Sequence, residues 1–308
     1  VTDNFKNIIV VINVGAQTDS EWYHENDAIS SVLYAWQAGM EGGLATADVL
    51  CGDVSPSGKL ADTFAKRFSD YPSSESFEES EDYVKYYEDI YVGYRYFETI
   101  PGASERVNYP FGFGLSYTDF EISNINAALC KDKIKVSADV RNVGKVSGNE
   151  VVQVYYSAPQ GKLGKPKYVL AAFSKIKELE PGETRTVVME FDVNSMASYD
   201  DTGKVAKSAY ILEKGSYKFF VGNSVRNTVK ADYEYVVEDD IIAQQLTQQC
   251  APSKLEKRML SDGSFEKLLP AKNNIFENNC PPNTAKAPEE KAMLTDVVNG
   301  KVTLDEFI

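Results

Sequence analysis

Four neighbouring side chains, Trp22, Tyr23, His24 and Glu25, form the segment of this 308-residue sequence with the most varied chemistry. The indole and phenol rings offer flat apolar faces for a sugar ring, while the imidazole and the carboxylate offer hydrogen bonds. His24 is the only histidine, so a catalytic triad or a Cys–His pair would have to be built on it. The segment is a candidate sugar-binding loop, and its aromatic rings also fit a loop that merely caps a sheet.

An apolar, β-branched run over Ile8–Asn13 comes shortly before this segment. A strand that is apolar on both faces is typical of a parallel sheet covered by helices. The loop after such a strand lies at the carboxyl edge of the sheet, where α/β folds bind their ligands. Further along, apolar spacing predicts a helix over residues 27–38, another over Leu44–Leu50 and a short strand over Leu60–Phe64.

Carboxylates and aromatic rings are interspersed over residues 75–89. Two carboxylates with separated pKa values can perform glycoside hydrolysis. Runs of charge are more often solvated surface, however, and spacing alone selects no catalytic pair here. Residues 91–97 carry strand-like aromatic side chains. The alternation of strands and helices predicts that residues 1–118 form part of an α/β domain.

Residues 119–237 have a different pattern, in which apolar and polar side chains alternate with a period of two. Ile134–Val140 and Val152–Tyr156 alternate in this way, and Pro181-Gly182 marks a turn between later runs. Short strands separated by turns, without helical stretches, indicate an antiparallel β-sandwich of the immunoglobulin or fibronectin type.

Residues 238–308 are less regular, and we interpret them as a linker. Helices are predicted over Ala243–Gln249 and Lys254–Leu260. Thr303 and Glu306 have the spacing of a capping box. Only one helical turn would follow before the last residue, and a single turn is not stable by itself, so we expect that further polypeptide once followed.

Charge and composition exclude several classes of function. The 46 acidic residues outnumber the 32 basic ones, which disfavours binding to nucleic acid. No apolar run approaches the roughly 18 residues of a membrane span. The four cysteines are widely spaced, so neither a zinc site nor a disulfide framework is expected, and no metal or cofactor is predicted. The absence of an Asn-x-Ser/Thr acceptor favours a cytoplasmic, bacterial-type protein.

In order along the chain, five segments resemble those of glycoside hydrolase family 3, the family of β-glucosidases and β-xylosidases. These segments are Asn7–Gly15, Trp36–Leu50, Pro56–Phe64, Ile90–Phe97 and Tyr109–Thr118. The predicted sandwich stands where the family's fibronectin type III-like domain follows. The resemblance therefore implies part of the family's α/β sandwich domain over 1–118, a fibronectin type III-like domain over 119–237 and a linker over 238–308.

The tail segment Leu294–Phe307 resembles the one that leads into the catalytic barrel in members with reversed domain order. The resemblance then implies a retaining, exo-acting β-glycosidase, most simply a β-glucosidase, acting on β-linked glucosides or oligosaccharides. Its nucleophilic Asp belongs to the absent barrel and its acid/base Glu to a loop before the first strand here. No catalytic residue is thus expected in this chain, and Trp22–Glu25 would form a wall beside the sugar.

Other interpretations of the sequence remain open. The barrel would be a partner on the same polypeptide or on a second chain, and a homo-oligomer is possible. A non-catalytic carbohydrate-binding or interaction module is the main alternative to an enzyme. A nucleotide-binding α/β enzyme is disfavoured because the glycine-rich segments Gly39–Gly43 and Gly112–Gly114 lack the residues of a phosphate loop.

Overall fold

A computed structural model describes residues 4–81, 83–248, 255–269, 298, 299, 301 and 303. The chain divides into one unit of residues 1–248 with 254–270 and a second unit of residues 249–253 with 271–308. All the helices and strands given below lie in the first unit. Most of the tail segment, including Glu306 of the predicted capping box, lies outside the described residues.

The α/β part is built around two parallel strands. The elements of this part are β1 (Ile8–Ile12), α1 (Glu21–His24), β2 (Ile29–Tyr34), α2 (Gly42–Cys51), β3 (Phe64–Ala65), α3 (Tyr94–Phe97) and β4 (Val107–Tyr109). Strands β1 and β2 pair in parallel, so that Ile12 lies beside Tyr34. Strand β4 pairs antiparallel with β3. The parallel pair and α2 confirm the α/β class expected from the sequence.

Two predicted elements of the α/β part are wrong, and a third is displaced, because the strand expected over Leu60–Phe64 is observed at Phe64–Ala65. Residues 27–38 do not form a helix. The spacing of their apolar residues fits a helix as well as a strand, and hydrogen bonding to β1 stabilises the strand β2. Residues 91–97 do not form a strand, because the neighbouring side chains of Tyr96 and Phe97 are both buried in α3. A strand would have sent these two rings to opposite faces.

The sandwich consists of two antiparallel sheets. Its strands are β5 (Phe120–Cys130), β6 (Lys133–Asn142), β7 (Gly148–Ser157), β8 (Val169–Leu179), β9 (Thr184–Asp192), β12 (Gly215–Gly222) and β13 (Thr228–Val237). One sheet has the order β5-β6-β9 and the other the order β13-β12-β7-β8. Alternating side chains of β6, from Ile134 to Val140, are fully buried between the sheets, as the period of two predicts.

A third sheet joins an insertion of the sandwich to the stretch that follows it. Strands β10 (Ser198–Asp200) and β11 (Ala209–Leu212) lie between β9 and β12 in sequence, and β14 (Ile241–Gln245) pairs with β11. A hairpin follows, made of β15 (Lys257–Met259) and β16 (Phe265–Lys267). The described part of the two helices predicted after residue 242 is therefore wrong. The first stretch adds a strand to the edge of β11, and the second pairs with β16 in the hairpin. Among the described residues, no helix is long and apolar enough to cross a membrane.

Candidate functional site

The predicted sugar-binding segment forms α1, a single helical turn on the connection between β1 and β2. Trp22, Tyr23 and His24 lie in this turn, and Glu25 ends it. The structure thus brings all four candidate residues onto one short element. Their side chains point in different directions, however, and only two of them line an open cleft.

Tyr23 is the anchor of this element, since its side chain is only 4% exposed. Its ring stacks on Tyr109 with the centroids 6.2 Å apart. Its hydroxyl lies 3.0 Å from that of Tyr34, which in turn lies 2.6 Å from the hydroxyl of Thr18. Burial and the hydrogen bond with Tyr34 raise the pKa of Tyr23, which keeps the phenol neutral. Tyr23 therefore positions the site and does not offer an open ring face.

His24 and the preceding Ser20 tie the same element to strand β4. The His24 Nδ1 atom lies 3.1 Å from the Tyr109 hydroxyl, and the two rings meet edge to face. The Asn108 side-chain amide donates a hydrogen bond of 2.9 Å to the Ser20 hydroxyl. Tyr34, Asn108 and Tyr109 were not selected by sequence reasoning. For Asn108 and Tyr109 the only available signal was their place in or next to a segment that carries the family resemblance.

Trp22 and Glu25 line a surface cleft of about 510 Å³. Trp22 is 51% exposed and its indole meets the Tyr23 ring edge to face, so much of the indole surface is accessible to a ligand. The rest of the lining consists of Asp19, Glu21, Asn26, Asp27 and Ala28. Carboxylate and amide oxygens accept hydrogen bonds from hydroxyl groups, and an indole face stacks on an apolar sugar face. This cleft has the chemistry of a sugar-binding wall.

Two carboxylates of the acidic segment 75–89 are engaged in ion pairs, and the described residues contain no cluster of metal ligands. No group of three or more His, Cys, Asp or Glu side chains among them is arranged to hold a metal ion. In the acidic segment 75–89, Glu79 is paired with Lys85 at 2.9 Å, and Asp89 lies 3.7 Å from Arg258. These carboxylates are engaged in ion pairs and are not directed into the cleft lined by Trp22.

A second opening of about 500 Å³ lies at the carboxyl ends of β1 and β2. It is lined by Asn13, Gln37 and the glycine-rich start of α2. Gly39 adopts a φ of 74°, a left-handed conformation that glycine adopts without strain. Gly39 therefore serves the turn that leads into α2, whereas Gly42 and Gly43 are the first two residues of that helix.

The α/β part is fastened to the sandwich through mostly buried polar contacts. Lys59 forms an ion pair of 2.9 Å with Glu150 of β7 and donates a hydrogen bond of 3.1 Å to the Gly114 carbonyl. Arg226 forms an ion pair of 2.7 Å with Glu98. These contacts hold the loop after β4, and hence the support of α1, in a fixed relation to the sandwich.

Residues 1–117 match the glycosyl hydrolase family 3 C-terminal domain, and residues 150–225 match the fibronectin type III-like domain. The chain is 54% identical to "Beta-glucosidase A" of Butyrivibrio fibrisolvens over 283 residues, which are 87% of this chain and 34% of that protein. It is 41% identical to "Beta-glucosidase" of Ruminococcus albus, over 100% of this chain and 33% of that protein.

Solved structures give a similar result. The fold superimposes on a beta-glucosidase from Paenibacillus barengoltzii with a TM-score of 0.80 and 40% identity, over 99% of this chain and 35% of that one. It superimposes on beta-glucosidase 3B from Thermotoga neapolitana in complex with glucose with a TM-score of 0.67 and 39% identity, over 76% of this chain and 31% of that one. The chain thus spans about a third of the length of the relatives that it matches.

Proposed function

The chain belongs to glycoside hydrolase family 3, and we propose that it forms the non-barrel portion of a retaining, exo-acting β-glucosidase. The substrate would be a β-linked glucoside or oligosaccharide, from which the enzyme removes the terminal β-glucosyl residue. The observation that carries this proposal is the extent of the likeness to proteins named beta-glucosidase, which reaches 54% identity over 87% of the chain.

The proposed mechanism uses two carboxylates that this chain does not supply. An Asp of the barrel would attack the anomeric carbon while a Glu protonates the departing glycosidic oxygen, giving a glycosyl–enzyme ester. The same Glu would then take a proton from water, which hydrolyses the ester and frees the Asp. The residues of this chain would bind and orient the sugar, with Trp22 stacking on the ring and Glu25 accepting a hydrogen bond from a hydroxyl group.

Exposed apolar side chains support the presence of a further domain in the working enzyme. Ile9 and Val11 of β1 are both substantially exposed, and α2 has no buried residue. Parallel sheets are stable when helices or other layers cover both faces. We therefore propose that additional α/β polypeptide and the barrel cover these surfaces, on the same polypeptide or on a second chain.

The domain order and the location of the enzyme belong to the same proposal. The alignment with the Ruminococcus albus relative runs through the whole chain, including the stretch after the sandwich. This supports an order in which the α/β domain and the fibronectin type III-like domain precede the barrel. A cytoplasmic, bacterial-type enzyme is proposed because the sequence has no Asn-x-Ser/Thr acceptor.

The first test is the hydrolysis of an aryl β-glucoside by this chain alone and by the longer polypeptide that includes the barrel. We expect turnover only with the barrel present. Full activity of the 308-residue chain by itself would contradict the assignment of both carboxylates to other parts of the enzyme.

Calorimetric titration with cellobiose distinguishes the enzyme from the main alternative, a non-catalytic carbohydrate-binding module. Binding that persists after deletion of residues 1–118 would indicate a carbohydrate-binding sandwich instead.

The role of Trp22 is tested in the active, longer polypeptide. Loss of an aromatic stacking contact costs roughly 0.5–1.5 kcal/mol, so Trp22→Ala is expected to raise KM roughly 2- to 12-fold. Trp22→Phe should restore much of the affinity because a flat ring remains. Phe68→Ala is the matched control, since Phe68 is an exposed aromatic residue that does not line the cleft. Equal KM values for Trp22→Ala and Phe68→Ala would remove Trp22 from the site.

A further inference from the structure

The hairpin of β15 and β16 lies outside both matched domains and follows the sandwich in sequence. Its strands pair from Lys257 with Lys267 to Met259 with Phe265. The hairpin returns to the α/β part of the chain, where its backbone and side chains make specific contacts. A linker needs no such contacts, so the hairpin is better described as a segment docked on the α/β part.

The first group of contacts is apolar and lies in the core of the α/β part. Met259 is buried in the same cluster as Tyr91, Phe97 and Val107. Its backbone N–H donates a hydrogen bond of 2.7 Å to the Tyr87 carbonyl, at the end of the acidic and aromatic segment. Residues from the far end of the chain therefore complete the core that supports α3 and the preceding segment.

The second group of contacts is ionic and joins three segments at one guanidinium. Arg258 lies 2.7 Å from the Asp201 carboxylate on the loop between β10 and β11. It also lies 2.5 Å from Glu266 on the hairpin and 3.7 Å from Asp89 of the α/β part. The Arg258 side chain is only 13% exposed, which reduces screening of these charges by solvent.

The sandwich presents its side of this ion cluster on a loop whose internal hydrogen bonds do not involve the hairpin. The buried carboxylate of Asp200 accepts backbone hydrogen bonds from residues 203–206. Lys204 of the same loop forms an ion pair of 2.8 Å with Glu266. Because the hydrogen bonds to Asp200 lie within the loop, we expect docking of the hairpin to cost little conformational entropy on the sandwich side.

We propose that residues 255–269 are an intramolecular clasp, which binds the notch between the α/β part and the loop after β10. The clasp holds the segment Tyr83–Tyr91 in place. Met259 supplies the apolar contact and Arg258 joins the carboxylates of the three segments. This proposal stands on the contacts of the hairpin and does not depend on the proposed glycosidase activity.

Hydrogen–deuterium exchange of the 308-residue chain, followed by mass spectrometry, tests the clasp. Arg258→Met leaves the carboxylates of Asp89, Asp201 and Glu266 without their shared cation. We expect amide exchange to accelerate at least tenfold over residues 83–91 and 257–267, with β6 and β7 unchanged. Arg258→Lys, which keeps one charge, should give an intermediate acceleration.

Two further variants and a control keep this test decisive. Met259→Ala removes the apolar contact alone and should accelerate exchange in the same two stretches. Glu266→Gln is a milder change that applies if Arg258→Met does not fold. Lys133→Met is the matched control because Lys133 forms an exposed ion pair with Glu190 on the sandwich. Unchanged exchange over residues 83–91 in the folded variants, or an equal acceleration in β6 and β7, would overturn the clasp.

Discussion

The two halves of the first unit differ in how completely they bury their apolar side chains. Between the sheets of the sandwich, Val136, Val154 and Leu179 are fully buried. In the α/β part, by contrast, Leu44 of α2 is 65% exposed and Val11 of β1 is also exposed. Both regions are rich in apolar residues, so composition alone does not separate them. The sandwich closes on itself, whereas the parallel pair and its helix leave apolar surface to be covered.

This difference follows from the geometry of the two kinds of sheet. Antiparallel sheets with a period of two place one apolar face inward, and two such faces complete a core. A parallel pair such as β1 and β2 is apolar on both faces and requires a layer on each. The candidate sugar-binding cleft lies in the open part, next to Trp22. The closed sandwich then serves as the rigid body against which the open part is held.

The largest effect expected from this comparison is at Leu179, at the end of β8. Leu179→Ala removes a fully buried side chain and leaves a cavity, which destabilises by about 2–5 kcal/mol. Urea unfolding of the 308-residue chain, followed by tyrosine and tryptophan fluorescence, measures this loss. A loss below about 0.5 kcal/mol, the range of surface substitutions, would show that the sandwich core is not closed.

The same difference explains which parts of the fold were predictable. Along β6 every second side chain from Ile134 to Val140 enters one core, so local alternation carries the full signal. In β2 the spacing of Ile29, Val32 and Leu33 fits a helix as well as a strand. The choice depends on hydrogen bonding to β1, which is distant in sequence. Local patterns therefore predicted the sandwich and failed where a long-range partner decides.

The candidate site was predictable to a similar, partial extent. The run from Trp22 to Glu25 was visible because its residue types are unusual together and follow an apolar strand. That Trp22 faces a cleft while Tyr23 is buried depends on Tyr34 and Tyr109, which are contributed by β2 and β4. Side-chain direction in a one-turn helix is set by such partners, and no pattern within the turn reveals it.

A smaller effect is expected at Asp200, on the loop that the sandwich offers to the hairpin. Burial alone would raise the pKa of this carboxyl, but hydrogen bonds from backbone N–H groups of residues 203–206 lower it below the ordinary value of 3.8. Asp200→Asn replaces one acceptor oxygen by an amide that cannot accept. We expect a loss of about 2 kcal/mol at pH 7, within the range for hydrogen bonds to charged groups.

The dependence on pH distinguishes the carboxylate from a purely structural role. Because the folded-state pKa of Asp200 lies below that of the unfolded chain, its stabilisation is complete above about pH 4 and is lost as the pH falls through the folded-state value. The difference between the parent chain and Asp200→Asn should therefore shrink in acid. Urea midpoints at pH 7, 5, 4 and 3 measure it. A difference that stays constant down to pH 3 would assign the effect to shape alone.

The smallest effect is expected at Leu44, which carries the same side chain as Leu179 in the open region. Leu44→Ala should change the stability of the 308-residue chain by less than about 0.5 kcal/mol, because the side chain is already in water. In the longer polypeptide the same substitution should cost more, since a covering layer would bury the leucine. Urea midpoints of Leu44→Ala in the short chain and in the longer polypeptide measure the two losses of stability. Leu179→Ala is the matched control with a buried leucine. A large loss in the short chain would mean that α2 is covered without any further domain, and the contrast between the two halves would not hold.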